Sequence, residues 1–265
     1  MRRYSDDTGT FWDHLEVLRW VVVRSLAVTV LFSVAAFCFK DILFAVAFAP
    51  CSSDFVTFRL LGSGPFSLHL INTGLTEQFM SHVKVSVYAG VLCASPYIVC
   101  ELFRFVSPGL YDGERRWAAL VVVSACAMFF AGALLNYFLI FPLTVRFLGT
   151  YQVSSDVENM LTLQSYMDTL LSMSLVMGVV FELPVLCAAL GRLGLIDGSL
   201  MSRYRRHALV AILTVSAIVT PTTDVFTLCI VSLPIWLLYE ASILLVPKKK
   251  IHPLTIDDGK SHHRT

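Results

Sequence analysis

The chain has 265 residues, 56% hydrophobic and 15% charged, with a formal net charge of +1. Soluble domains carry about a quarter charged residues, so a single aqueous core does not hide this much apolar surface, and lipid must solvate much of it. The basic residues are distributed beside successive apolar runs rather than along one continuous basic stripe, which argues against a nucleic-acid binder.

Residues 1–19 are polar and end in Phe11-Trp12-Asp13-His14-Leu15-Glu16-Val17-Leu18-Arg19. Phe11, Leu15 and Leu18 share one helical face, which predicts an interfacial leader helix with Trp12 and Trp20 at headgroup level. No small-residue cleavage site precedes the first apolar run, so that run reads as an uncleaved anchor. It is expected to span about 20–39 and to close at Lys40-Asp41. Residues 42–76 carry Pro50, Gly62, Gly64 and Pro65 and read as a loop with short amphipathic helices, too broken to cross. The second span, about 77–105, is longer than a bilayer requires. Its first turns, with Glu77, His82 and Lys84, are expected outside the hydrocarbon, and Pro96 is expected to kink it.

Residues 105–116 form a polar break between two apolar segments. Pro108 and Gly109 stop the incoming helix, Asp112-Gly113 is a turn dipeptide, and Glu114 opens the next helix beside Arg115 and Arg116. The third span is expected over about 116–141, ended by Pro142, with 143–163 as an outer loop. The fourth, about 164–190, contains Phe181-Glu182-Leu183-Pro184. An arginine-rich loop at 192–206 precedes a short fifth span at about 207–219, and the sixth covers about 225–246 with Asp224 as its N-cap. The fifth is too short to cross about 30 Å of hydrocarbon, and pairs as a hairpin with the sixth or thins the bilayer locally. The tail, 247–265, is polar.

Arginines and lysines flank the spans almost entirely on one side: Arg19, Arg104, Arg115, Arg116, Arg203, Arg205, Arg206 and the run Lys248–Lys250. Lys40, Arg59, Lys84 and Arg146 fall on the other. By the positive-inside rule both termini are cytoplasmic. The expected architecture is one all-α integral membrane domain, 1–265, of six transmembrane helices.

Three acids stand out. At the first turn of the third helix, Glu114 suits the helix dipole, and as a functional group it presents a carboxylate at the membrane surface. Glu16 shares that cytoplasmic surface, where two carboxylates can each take a guanidinium in a forked pair. An acid at mid-span, Glu182 costs about 2.5–3.5 kcal/mol to insert and so needs a partner or a water-filled cavity. One alternative is a protonated Glu182 bonded to a carbonyl freed by Pro184; another is a small-solute or ion transporter using Glu182 with Lys84. The seven cysteines have no metal-ligand spacing; six fall within or at the edge of apolar segments and read as small hydrophobes, and Cys51 alone falls in a loop expected to be exposed. No nucleophile–base pair, phosphate loop or metal motif occurs, so neither an enzyme nor a metal or cofactor site is expected.

The chain resembles the TatC family, the polytopic subunit of the twin-arginine protein translocase. The resemblance rests on His14-Leu15-Glu16-Val17-Leu18-Arg19, Ala49-Pro50, Phe105 through Arg116, Phe141-Pro142, Phe181-Glu182-Leu183-Pro184, and Thr220-Pro221 through Asp224-Val225-Phe226. It implies a glove-shaped six-helix bundle with short fifth and sixth helices in the bacterial inner membrane. It implies a cytoplasmic site for signal peptides with consecutive arginines on folded cargo, and transport driven by the proton-motive force. Glu114 is then the main arginine contact, with Phe105 nearby, the leader acid Glu16 assisting and Arg19 closing the leader motif. Glu182 and Pro184, with Asp224 and Pro50, fall on the intramembrane and partner-docking side, where single-span TatA- and TatB-type proteins bind. A homo-oligomer within a heteromeric complex is implied. The sequence departs from the family pattern at Val17, where a glutamate is usual, and at Glu101 and Phe103, where glutamine and tryptophan are usual. Glu101 is expected to compensate for Val17.

Overall fold

The computed structural model describes residues 7–52, 55–60, 70–106, 115–151, 160–192, 194–220 and 224–246. Helix α1 runs Asp7–Phe37, α2 Lys40–Phe48, α3 Val56–Leu60 and α4 Glu77–Val106. Helix α5 (Arg115–Leu135) passes through a π turn, Asn136–Ile140, into α6 (Phe141–Thr150). Then come α7 (Leu163–Val180), α8 (Leu183–Arg192), α9 (Gly198–Arg203), α10 (Arg205–Val219) and α11 (Val225–Leu245). Two short strands, β1 (Leu70–Ile71) and β2 (Leu161–Thr162), pair in parallel with Leu70 opposite Leu161.

Among the described residues six helical stretches are long and apolar enough to cross a membrane: 15–37, 40–60, 77–102, 119–150, 163–192 and 225–245. The stretch 40–60 is α2, a 3-10 turn at Ala49–Cys51 and α3, so the short helices expected there form. The expectation that they are too broken to cross is corrected, since together they are long and apolar enough, whereas the expected fifth span at about 207–219 is not among the six. Helix α10 has fifteen residues, about 22 Å of helix against about 30 Å of hydrocarbon, and it packs on α11.

Three further expectations are corrected. The leader is no separate interfacial helix: nothing between Thr10 and Phe37 is a proline or glycine, so leader and first span form one helix. Pro142 does not end the third span. Its missing N–H frees the Phe138 carbonyl four residues back, the π turn makes room for its ring, and the Thr57 hydroxyl donates to that carbonyl. The helix therefore continues through 143–150, where a loop was expected. The fourth span is not continuous either; Phe181 and Glu182 form a turn, and α8 restarts with Pro184 in its first turn, a position that tolerates proline.

Two other prolines follow the rule seen at Pro142. At Pro50 the Val46 carbonyl accepts from the Ala49 N–H and, in addition, from the Tyr137 hydroxyl at 2.7 Å. Pro96, inside α4, leaves the Leu92 carbonyl, which accepts from Ser95 Oγ at 2.8 Å.

Buried side chains form two clusters. One joins Ala47, Val85, Phe141, Tyr166, Met167 and Leu170, with the Tyr166 hydroxyl donating to the Ala47 carbonyl at 2.9 Å. The other joins Ile140, Met173, Met177, Phe181, Ile212, Val231 and Ile235. Helix α1 stands apart from both and packs on α4, with only 6% of its span window buried. Small residues permit that contact. A Cβ on Gly90 would lie 2.7 Å from the Ser33 backbone nitrogen and 2.8 Å from its Cα. Gly90→Ala is therefore expected to push α1 off α4, at a cost of about 1–3 kcal/mol. Thermal unfolding in detergent should show the lower midpoint for Gly90→Ala and no comparable drop for Gly74→Ala, whose Cβ meets neighbours only at 3.5 Å.

Candidate functional site

Helices α1 and α4 run antiparallel, Phe37 stacking on His82 at one end and Ser33 lying against Gly90 further along. At the other end, where α1 begins and α4 finishes, a cleft of about 410 Å³ opens. Glu16, Val17, Trp20, Val21 and Arg24 line it from α1; Glu101 and Phe105 line it from α4. The spacing accounts for this, because residues three or four apart share a helical face. Glu101 is only 6% exposed, while Glu16 is exposed. The cleft is thus lined by one buried and one exposed carboxylate, with the Arg24 cation on the α1 side. The indole of Trp20 and the ring of Phe105 offer flat faces on which a guanidinium can stack.

The structure thus brings together Glu16, Glu101 and Phe105, with Val17 beside Glu16 on the α1 wall. Arg19 is exposed and is not part of the lining. Glu114 and the turn before it lie outside the described residues, as do Pro221 and the tail. Trp20, Val21 and Arg24 were missed as site residues; their signal was helical spacing, Trp20 and Arg24 at i+4 and i+8 from Glu16 and Val21 at i+4 from Val17.

The intramembrane residues each have their own setting. Glu182 sits in the turn between α7 and α8, where its Oε1 is buried with no hydrogen-bond partner. A Glu182 bonded to the carbonyl freed by Pro184 is not what the structure shows. Pro184 is buried in α8, and Pro50 is buried in the 3-10 turn after α2. Asp224 caps α11 as expected, its Oδ2 accepting from the Thr227 N–H at 2.7 Å. A charged pathway joining Glu182 to Lys84 is not built, since Lys84 Nζ pairs with Asp168 Oδ1 at 2.5 Å.

A second carboxylate, not singled out in the sequence, organises the opposite end of α4. Glu77 Oε2 accepts from the N–H groups of Thr73 and Gly74, both at 2.9 Å, and Oε1 accepts from the Gln164 N–H at 2.5 Å. It ties the turn before α4 to the start of α7. The signal was Asn72-Thr73-Gly74, a turn whose N–H groups need an acceptor, just ahead of a glutamate.

Six apolar helical stretches of this length define a polytopic membrane protein, and the cleft between α1 and α4 is acidic and aromatic. Residues 13–234 match the family model described as Sec-independent protein translocase protein (TatC). The chain is 34% identical over 239 residues to the Sec-independent protein translocase protein TatC of Desulforapulum autotrophicum, covering 90% of this chain and 84% of that one. It is 32% identical over 238 residues to the TatC of Deinococcus radiodurans, covering 90% and 86%. Its fold is similar to the crystal structure of the twin arginine translocase receptor TatC, with TM-score 0.75 and 28% identity over 88% of this chain and 97% of that one. The chain belongs to the TatC family. It is a multi-pass protein of the bacterial inner membrane with the glove-like six-helix fold.

The unpartnered Glu182 yields a direct test of what the acid is for. Removing a buried polar group that makes no hydrogen bond stabilises a protein or leaves it unchanged. Glu182→Leu is expected to hold or raise the thermal midpoint of the purified chain, whereas loss of a structural acid would lower it by several degrees.

Proposed function

We propose that this chain is the receptor subunit of a twin-arginine translocase, and that the cleft between α1 and α4 receives the paired arginines of a signal peptide. The observation that carries this reading is the meeting of Glu16, Glu101 and Phe105 in one cleft, from helices far apart in the sequence. Each guanidinium is planar and presents a fork of donors, which a carboxylate accepts two at a time; an ammonium does not. The apolar walls lower the local dielectric and strengthen the pairs. Glu114, one residue before α5, supplies the main carboxylate; Glu101 stands in for the acid that Val17 lacks, and Glu16 guards the rim. Arg24, one turn beyond Trp20 along α1, limits how far a cationic segment enters.

The remaining assignments rest on family membership and on Glu182. Both termini face the cytoplasm, where the signal peptide arrives on folded cargo. The face around Glu182 receives single-span TatA- and TatB-type partners, with whose help cargo crosses at the expense of the proton-motive force. The receptor works as a homo-oligomer inside that heteromeric complex, as a scaffold rather than an enzyme.

Fluorescence anisotropy of a labelled signal peptide tests the cleft. The Arg-Arg peptide is expected to bind about tenfold more tightly than its Lys-Lys counterpart, the loss expected for one charge-assisted pair. Glu101→Gln is expected to erase much of that difference and Glu16→Gln to reduce it less. Equal affinity for the two peptides would remove the assignment.

A further inference from the structure

The end of the bundle opposite the peptide cleft holds a second, larger cavity of about 660 Å³, formed by α2 and the first turns of α4. Lys40 and Asp41 stand on its rim; Phe44, Phe48, Phe79 and His82 form its wall. It belongs to no site described above.

Its level in the membrane follows from the chain. Between Arg24 and Lys40 helix α1 carries no charge, so Lys40 and Asp41 mark where the apolar span ends. The Phe37 ring stacks on His82 at 4.0 Å, which brings the first turns of α4 to the same level. The cavity therefore lies at the boundary between hydrocarbon and headgroups. Phe79 is 58% exposed, as befits a wall that meets acyl chains rather than water.

Its charges also make a pattern. Lys40 and Asp41 are both exposed, and among the described residues neither is in an ion pair. The rim thus presents one cation and one anion side by side above an aromatic floor. An anionic ligand would satisfy only the lysine, and an apolar peptide would satisfy neither.

We propose that this cavity binds the headgroup of a zwitterionic phospholipid with a primary ammonium, in the leaflet opposite the peptide cleft. Lys40 takes the phosphate and Asp41 the ammonium, as charge-assisted hydrogen bonds. The first carbons of the acyl chains lie against Phe44, Phe48 and Phe79. A choline headgroup, which has no N–H to donate, loses the Asp41 bond.

Native mass spectrometry of the full chain from detergent, with phosphatidylethanolamine, phosphatidylcholine or phosphatidylglycerol added singly, tests the site. Wild type is expected to retain phosphatidylethanolamine about tenfold better than either other lipid, the ratio expected for one charge-assisted contact. Asp41→Asn should equalise ethanolamine and choline lipids, and Lys40→Gln should lower retention of all three. Both side chains are exposed, so folding is expected to survive, and circular dichroism checks it. A Phe79→Trp reporter should be quenched by brominated phosphatidylethanolamine, and this quenching should fall in the Asp41→Asn background. Equal retention of the three lipids by wild type, indifference to both substitutions, or stronger quenching by a brominated apolar peptide than by lipid would overturn the proposal.

Discussion

In hydrocarbon no water stands ready to accept or donate, so every backbone group that leaves the helical ladder must find a protein partner. The bundle is arranged around that constraint. At three prolines the carbonyl four residues back accepts from a hydroxyl: Tyr137 at Val46, where the Ala49 N–H donates as well, Ser95 at Leu92 and Thr57 at Phe138. Two of the three hydroxyls come from distant segments. These bonds therefore do more than satisfy a carbonyl; they fasten the short helices α2 and α3 onto the continuous run of α5, the π turn and α6. Glu77 does the same for the turn before α4, linking it to α7.

From that fixed end the functional geometry follows. Helix α4 is held at Glu77 and carries Glu101 and Phe105 at its far end, while α1 is held to α4 through the close approach at Gly90. Because α1 touches little else, the cleft between the two helices is a two-helix site. Glu182 belongs to a different region, the break between α7 and α8, where one of its carboxylate oxygens is buried without a hydrogen-bond partner. The Lys84–Asp168 pair is half-exposed and joins α4 to α7; pairs of this kind contribute little to stability, and its position argues for orientation rather than for a conduction path.

Much of this was legible in the sequence. The long apolar runs, the Asp224 cap and the shortness of α10 follow from composition and local signals, because each depends on residues close in the chain. The meeting of Glu16 with Glu101 was half-legible: their common membrane face follows from charge counting, whereas their common cleft depends on α1 packing on α4. Pro142 misled for the opposite reason. Read locally it ends a helix, and the hydroxyl that rescues the helix sits at Thr57, in a segment that looked like loop. Glu77 was passed over because its role depends on Gln164, far along the chain. The leader was split from the first span because its polar face resembled an interfacial helix, though no residue there breaks the backbone.

The central claim is that the α1–α4 cleft grips paired guanidinium groups. Its most direct test is photo-crosslinking from a benzoylphenylalanine placed at position 105, in the intact protein, to signal peptides carrying Arg-Arg or Lys-Lys. The account predicts strong labelling of the Arg-Arg peptide and weak labelling of the Lys-Lys peptide, with the contrast diminished in Glu101→Gln. Equal labelling of both peptides in the otherwise native chain would contradict it.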